Sequence, residues 1–317
     1  MAVFWNVFES IIILLGIGII GFIIISRKIV PIKILDVISP LILDIALPCL
    51  IFTNIISRFD PVNFSTWWTL PLWWIVFTLI TIFLTFFGMK LITKKFRPEF
   101  GISLLYPNAI FVPIVVIQNL FGEDSSMLIE LFLFTLFFPA FMFNTYYLFY
   151  KNKRSVKSKF DWKKFFNPIL IATVLAVILR LSGVYHNIPN VIFSITKILG
   201  NTALPLILLL IGGNVYVDFK RKGEIHFKPI LIFVAIKNFL FPLITLILLI
   251  IIKPPFSVAF LIFLISAVPP VTAVPILINK AGGNTELTNQ FLISSFLVSI
   301  ISIPLVMLIF ENFFTIN

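Results

Sequence analysis

Charged residues are scarce in this chain. Only 12% of its 317 residues are charged, against about 25% in a typical soluble domain, and 60% are hydrophobic. The single cysteine, Cys49, cannot form an internal disulfide. A chain so poor in charge has too few polar residues for a soluble surface. We therefore predict an all-α polytopic membrane protein.

Long apolar runs fill the sequence. A hydrocarbon core of about 30 Å needs about 20 apolar residues in helical conformation, and by this measure we predict ten transmembrane helices. The first is expected to be a span and not a signal peptide, because Glu9 stands where a basic leader would be. The predicted spans are 7–26, 35–56, 69–91, 101–120, 127–149, 167–183, 190–215, 229–252, 257–279 and 287–310.

The number of basic residues alternates between high and low from one predicted loop to the next. The loops after predicted spans 1, 3, 5, 7 and 9 are therefore expected to be cytoplasmic, by the positive-inside rule. Both termini are then expected outside, in an integral protein of the cell (plasma) membrane. Because the basic residues are spread over five separate loops, we do not expect nucleic acid as a partner. Of the 24 Lys and Arg residues, these loops hold all except Arg58, Arg180, Lys197, Lys237 and Lys253.

The two halves of the chain resemble each other. Ala46-Leu47-Pro48 in the second predicted span recurs as Ala203-Leu204-Pro205 in the seventh, and Val112-Pro113-Ile114 recurs as Val274-Pro275-Ile276. Each copy has five spans, so the second enters the membrane from the opposite side. This predicts a 5+5 inverted repeat, an architecture typical of secondary transporters. The expected parts are a first repeat (1–150), a basic cytoplasmic linker (151–166) and a second repeat (167–317).

Two predicted spans carry prolines near their middle. Proline has no N–H and interrupts the helical hydrogen bonds, and non-helical backbone inside a membrane must line a cavity or pack against protein. We therefore predict that helices 4 and 9 are broken and cross each other. The predicted substrate-binding and crossover residues are Pro107, Asn108, Pro113, Pro269, Pro270, Thr272 and, near the end of span 2, Asn54.

The broken helices favour an anionic substrate. Half-helix N-termini carry partial positive charge and N–H donors, and spans 4 and 9 contain no acidic residue. Lys237, Asn238 and Asp44 form a possible anion or coupling site. Lys237 could attract an anion or pair with Asp44, and Asp44 could instead hold a proton or cation or act structurally. Asn214 is expected to bond between helices.

Several of these stretches resemble the auxin efflux carrier family, which includes plant PIN auxin exporters and prokaryotic carriers of small carboxylates. They are Leu41 to Phe52, Leu199 to Gly212 and Ala267 to Gly283, the last being the most specific. Pro107-Asn108 is similar to the family's crossover in the fourth span. The following Val112-Pro113 comes two residues sooner than is usual there and lacks the family's Gly. The resemblance covers essentially the whole chain.

The resemblance implies a scaffold of helices 1, 2, 6 and 7, which also forms a homodimer surface, and a transport core of helices 3–5 and 8–10. Substrate would lie beside the Pro107-Asn108 break, and the core would move as an elevator against the scaffold. The expected function is a secondary transporter that moves a small organic anion, a carboxylate or auxin-like molecule. The alternative is an uncoupled uniporter or channel for small solutes.

An enzyme is not expected. The two histidines, His186 and His226, fall in loops on opposite sides of the membrane, and the acid pair Glu123-Asp124 is explained by solvation at a turn. The sequence has no metal cluster, no nucleotide-binding loop and no nucleophile with a base. No cofactor or metal is therefore expected, and the partners are the organic anion and the lipid bilayer.

Overall fold

The computed structural model describes residues 2–122, 125–150, 162–220 and 223–314, and all regular structure in these ranges is helical. Most of the predicted linker, 151–166, and the acid pair Glu123-Asp124 lie outside the described residues. The twelve main helices are α1 (Ala2–Ser26), α2 (Ile34–Arg58), α3 (Trp67–Leu91), α4 (Arg97–Leu105), α5 (Phe111–Phe121), α6 (Ser126–Tyr150), α7 (Pro168–Leu181), α8 (Asn190–Lys220), α9 (Phe227–Ile252), α10 (Phe256–Ala267), α11 (Val274–Lys280) and α12 (Thr285–Glu311).

Seven of the described helices are long and apolar enough to cross a membrane, namely α1, α2, α3, α6, α8, α9 and α12. Three shorter apolar helices, α5, α7 and α10, stand where the fourth, sixth and ninth spans are predicted. The sixth is short because its ends are fixed locally. Asn167 accepts a hydrogen bond from the Leu170 N–H at the start, and Gly183 has a positive φ of 73° just after the end. The count of ten spans stays a prediction.

Proline also changes the winding of two long helices. The segments Leu41–Ala46 in α2 and Ala235–Leu240 in α9 are π-helical, and each ends two residues before a proline, Pro48 or Pro242. A proline cannot donate to the carbonyl four residues earlier, which here belongs to Asp44 or Asn238. Each π turn therefore stands where proline has already removed an α-helical hydrogen bond.

Helices α1 and α8 touch through glycine. A Cβ on Gly212 would lie 2.8 Å from the Gly18 Cα, and a Cβ on Gly21 would lie 2.9 Å from the Leu209 Cα. No side chain fits at such distances, so the two backbones are in direct contact. Farther along the chain, the second half of α2 packs against α7 and against the first half of α8. Helices α1, α2, α7 and α8 therefore form a connected group.

Candidate functional site

The interruptions between α4 and α5 and between α10 and α11 lie against each other. The Asn108 N–H donates to the Pro269 carbonyl at 2.8 Å, and the Val271 N–H donates to the Tyr106 carbonyl at 3.0 Å. Pro107 and Pro270 thereby form a single antiparallel bridge. These bonds satisfy part of the backbone that the prolines expose, as a buried site in a membrane requires.

Asn108 is the polar side chain at the centre of this crossing. It is 1% exposed, and its Oδ1 accepts the Phe111 N–H, the first of α5, at 3.2 Å. That bond directs Oδ1 toward the start of α5, so the amide nitrogen is directed away from the Phe111 N–H. Nδ2 is buried and has no hydrogen-bond partner in the described part of the chain. A buried donor without a partner costs about 1–3 kcal/mol, which suits a site that acquires a partner when it is occupied.

A cavity of about 230 Å³ adjoins the crossing. Its wall is mostly apolar, with side chains such as Ile42, Phe138 and Ile207. It gathers three of the predicted site residues, Asp44, Asn108 and Thr272. The remaining polar residues in the wall are Ser39, Asn167 and Asn214.

The cavity lies between two groups of helices. Residues of α2, α7 with its cap Asn167, and α8 form one side. The other side comes from α6 and from the two interrupted segments with the helices that follow them, α5 and α11. Pro107, Pro113, Pro269, Pro270 and Pro275 are not part of its wall, but they shape the crossing behind it.

The structure places Lys237 and Asn238 away from this cavity. The Lys237 Nζ donates to the Ser266 carbonyl at 3.0 Å and lies 5.6 Å from the centroid of the Phe241 ring. Ser266 is in the last turn of α10, where carbonyls lack helical partners and the dipole favours a cation. Asn238 bonds to Ser295 and Ser302 of α12. These contacts give both residues structural partners, and Lys237 does not join Asp44 at the cavity wall.

Asn54 also lies outside the cavity wall. Its Nδ2 donates to the Leu50 carbonyl at 2.8 Å, and its Oδ1 accepts a hydrogen bond from Arg58 at 2.9 Å. Both of these contacts lie one turn away on the same helix. Asn54 is thus held within α2.

Two buried acids were absent from the predicted site. Glu130 in α6 bonds to Ser257, and its Oε2 has no partner among the described residues. Glu99 in α4 accepts the Tyr150 hydroxyl at 2.9 Å and the Asn284 N–H at 2.8 Å. The signal for Glu130 was an acid inside an apolar run. Glu99 gave no such signal, because Arg97 and Pro98 place it at a helix start where acids are common.

Glu99 ties three helices together, which leads to a stability prediction. Glu99→Ala would remove the oxygen that accepts from the Tyr150 hydroxyl and the Asn284 N–H, and we expect the free energy of unfolding to fall by about 3 kcal/mol. Glu99→Gln keeps an oxygen at the same place and is the matched control, with a loss of about 1 kcal/mol. Thermal unfolding in detergent measures both. Equal losses for the two variants would contradict the assigned role of the acceptor oxygen.

The helices, the interrupted segments and the cavity define an integral membrane protein with a solute-sized cavity among its helices. No group of three or more potential ligands for a metal occurs in the described residues. A family model described as membrane transport protein matches residues 6–307, so the chain belongs to this family of membrane transporters. The match confirms the resemblance to auxin efflux carriers. The family consists of transporters and not of enzymes. No curated protein matches the chain.

Proposed function

We propose that this protein is a secondary transporter that binds a small organic acid in the cavity beside Asn108 and carries it across the membrane by alternating access. The observation that carries the proposal is Asn108, a residue of the cavity wall whose buried Nδ2 has no hydrogen-bond partner among the described residues. A carboxylate oxygen is an acceptor suited to such a donor. The substrate would be small, because pockets for drug-sized ligands usually exceed about 300 Å³.

The position of the cavity supports an elevator movement. Its two sides belong to the groups expected as scaffold (α1, α2, α7 and α8) and as transport core (α3 to α6 and α9 to α12). A ligand held between two bodies becomes accessible on either side when one slides past the other. The order of the helices supports the inverted repeat, since α4 with α5 and α10 with α11 occupy equivalent places in the two halves.

We further propose that both termini lie outside the cell, that the protein resides in the cell membrane, and that it is a homodimer joined through the scaffold. Exposed apolar residues on α7 and α8, such as Ile178 and Ile195, supply a surface for lipid or for a second copy. Crosslinking in native membranes tests the dimer. Labelling of cysteines introduced one at a time at residues 2 and 314, in a chain whose Cys49 is replaced by alanine, tests the orientation.

A binding screen tests the substrate class. Purified protein is heated with small mono- and dicarboxylates, amino acids and indole acetate, and with amines and sugars as the contrasting set. We expect at least one carboxylate to raise the melting temperature and then to be taken up by proteoliposomes at carrier rates. Stabilisation by amines or sugars alone would contradict the proposal. Flux far above carrier turnover would favour an uncoupled channel.

A further inference from the structure

The charge of the cavity wall restricts the substrate further. Among the cavity-lining residues that the structure describes, Asp44 carries the only formal charge. Asp44 is an exposed residue, whereas Asn108 is buried. A simple carboxylate would therefore meet a fixed negative charge with no cationic side chain in the same wall. Like charges in a site with few polar neighbours repel strongly.

The buried cation Lys237 does not offset the charge of Asp44. Lys237 lies outside the wall, and its Nζ donates to the Ser266 carbonyl at the end of α10. The wall residues on either side of Asp44 are apolar, namely Ile42, Leu43 and Leu47. A ligand that places a positive group at Asp44 would therefore gain an attraction that nothing else in the cavity supplies.

Building on the proposed function, we infer that the substrate is a zwitterion, a small apolar amino acid whose ammonium binds Asp44 and whose carboxylate binds at Asn108. Asp44 accepts from the ammonium, and the unpartnered Asn108 Nδ2 donates to the carboxylate. The apolar wall, with Phe138, Met142 and Leu210, accommodates the side chain. Because the zwitterion has no net charge, its binding adds no second unpaired charge to the cavity.

Matched ligands test the inference. Leucine, methionine and phenylalanine are each compared by calorimetry with the acid that lacks the amino group, such as 4-methylpentanoate for leucine. The amine that lacks the carboxylate, 3-methylbutylamine, completes the leucine set. We expect at least one amino acid to bind about 10- to 100-fold more tightly than its deaminated acid, the value of a charge-assisted hydrogen bond.

Two variants in α2 distinguish an effect of the Asp44 carboxylate from a general effect on the helix. Asp44→Asn is expected to remove the preference for the amino acid over the deaminated acid. Asp36→Asn, on the same helix but outside the cavity wall, is the matched control and should leave that preference intact. The melting temperature of each variant without ligand shows whether it is folded.

Each remaining outcome is decisive. If the deaminated acids bind wild type as tightly as the amino acids, the zwitterion inference is overturned and the carboxylate transporter stands. Binding of 3-methylbutylamine without any carboxylate overturns the proposed function as well. If none of the three amino acids binds, the inference is wrong.

Discussion

Asn108→Ala is expected to reduce substrate uptake by proteoliposomes by about 100-fold. The substitution removes Nδ2, the buried donor without a partner, and with it a hydrogen bond to a charged acceptor worth about 1.5–3 kcal/mol. It also removes the oxygen that accepts the Phe111 N–H at the start of α5. Because both losses fall on the same residue, uptake alone cannot separate a binding defect from a distorted crossing.

Asn108→Ser separates the two effects. Serine and asparagine both accept local backbone N–H groups through a side-chain oxygen, so the serine hydroxyl can accept the Phe111 N–H, but it lacks the amide nitrogen. We expect Asn108→Ser to melt within a few degrees of wild type and still to lose most uptake. If serine restores uptake to near the wild-type rate, the oxygen that accepts the Phe111 N–H is the important group and Asn108 does not bind substrate. Uptake is measured per folded protein, quantified by size-exclusion chromatography.

A large loss of stability is expected from Gly212→Ala. A single methyl group there would meet the Gly18 backbone, 2.8 Å from its Cα, and backbone cannot rotate aside as a side chain can. Helices α1 and α8 would have to separate along their contact, and overpacking of this kind costs about 3 kcal/mol. We expect the melting temperature to fall by about 6 °C or more.

Gly16→Ala is the matched control for this change. Gly16 lies on α1, and a Cβ built on it meets no atom within 4 Å. Replacing an unhindered helical glycine by alanine stabilises by about 0.5–1 kcal/mol, so the melting temperature should hold or rise slightly. Gly21→Ala, opposite Leu209, should resemble Gly212→Ala. A Gly212→Ala protein as stable as the Gly16→Ala protein would show that the close contact of α1 and α8 is wrong.

The interruptions of the helices could be predicted because proline acts locally. Pro107 and Pro113 lie in one predicted span and Pro269, Pro270 and Pro275 in another, and the structure interrupts both, at 106–110 and 268–273. The missing N–H of proline has the same effect in any fold. The sixth predicted span, 167–183, corresponds to α7, which ends two residues sooner, at Leu181.

The partners of the buried polar groups could not be predicted, because they depend on contacts between distant parts of the chain. Lys237 bonds to Ser266, and Glu99 bonds to the backbone of Asn284. Nothing near Lys237 in the sequence distinguishes this role from that of an anion site. Asp44 reaches the cavity wall from a π-helical turn, a register that residue periodicity does not indicate.

The crossing has a consequence for how the protein exchanges its amide hydrogens. Chain segments outside helices usually exchange fastest, because they open locally at little cost. Here the Asn108 and Val271 amides donate to carbonyls of the opposite segment, and the residues around them are buried. Opening either segment would leave backbone N–H and carbonyl groups of both segments without hydrogen bonds in an apolar interior. The amide hydrogens of these two irregular stretches should therefore exchange as slowly as those at the helix centres. The crossing is then a rigid part of the protein and not a hinge.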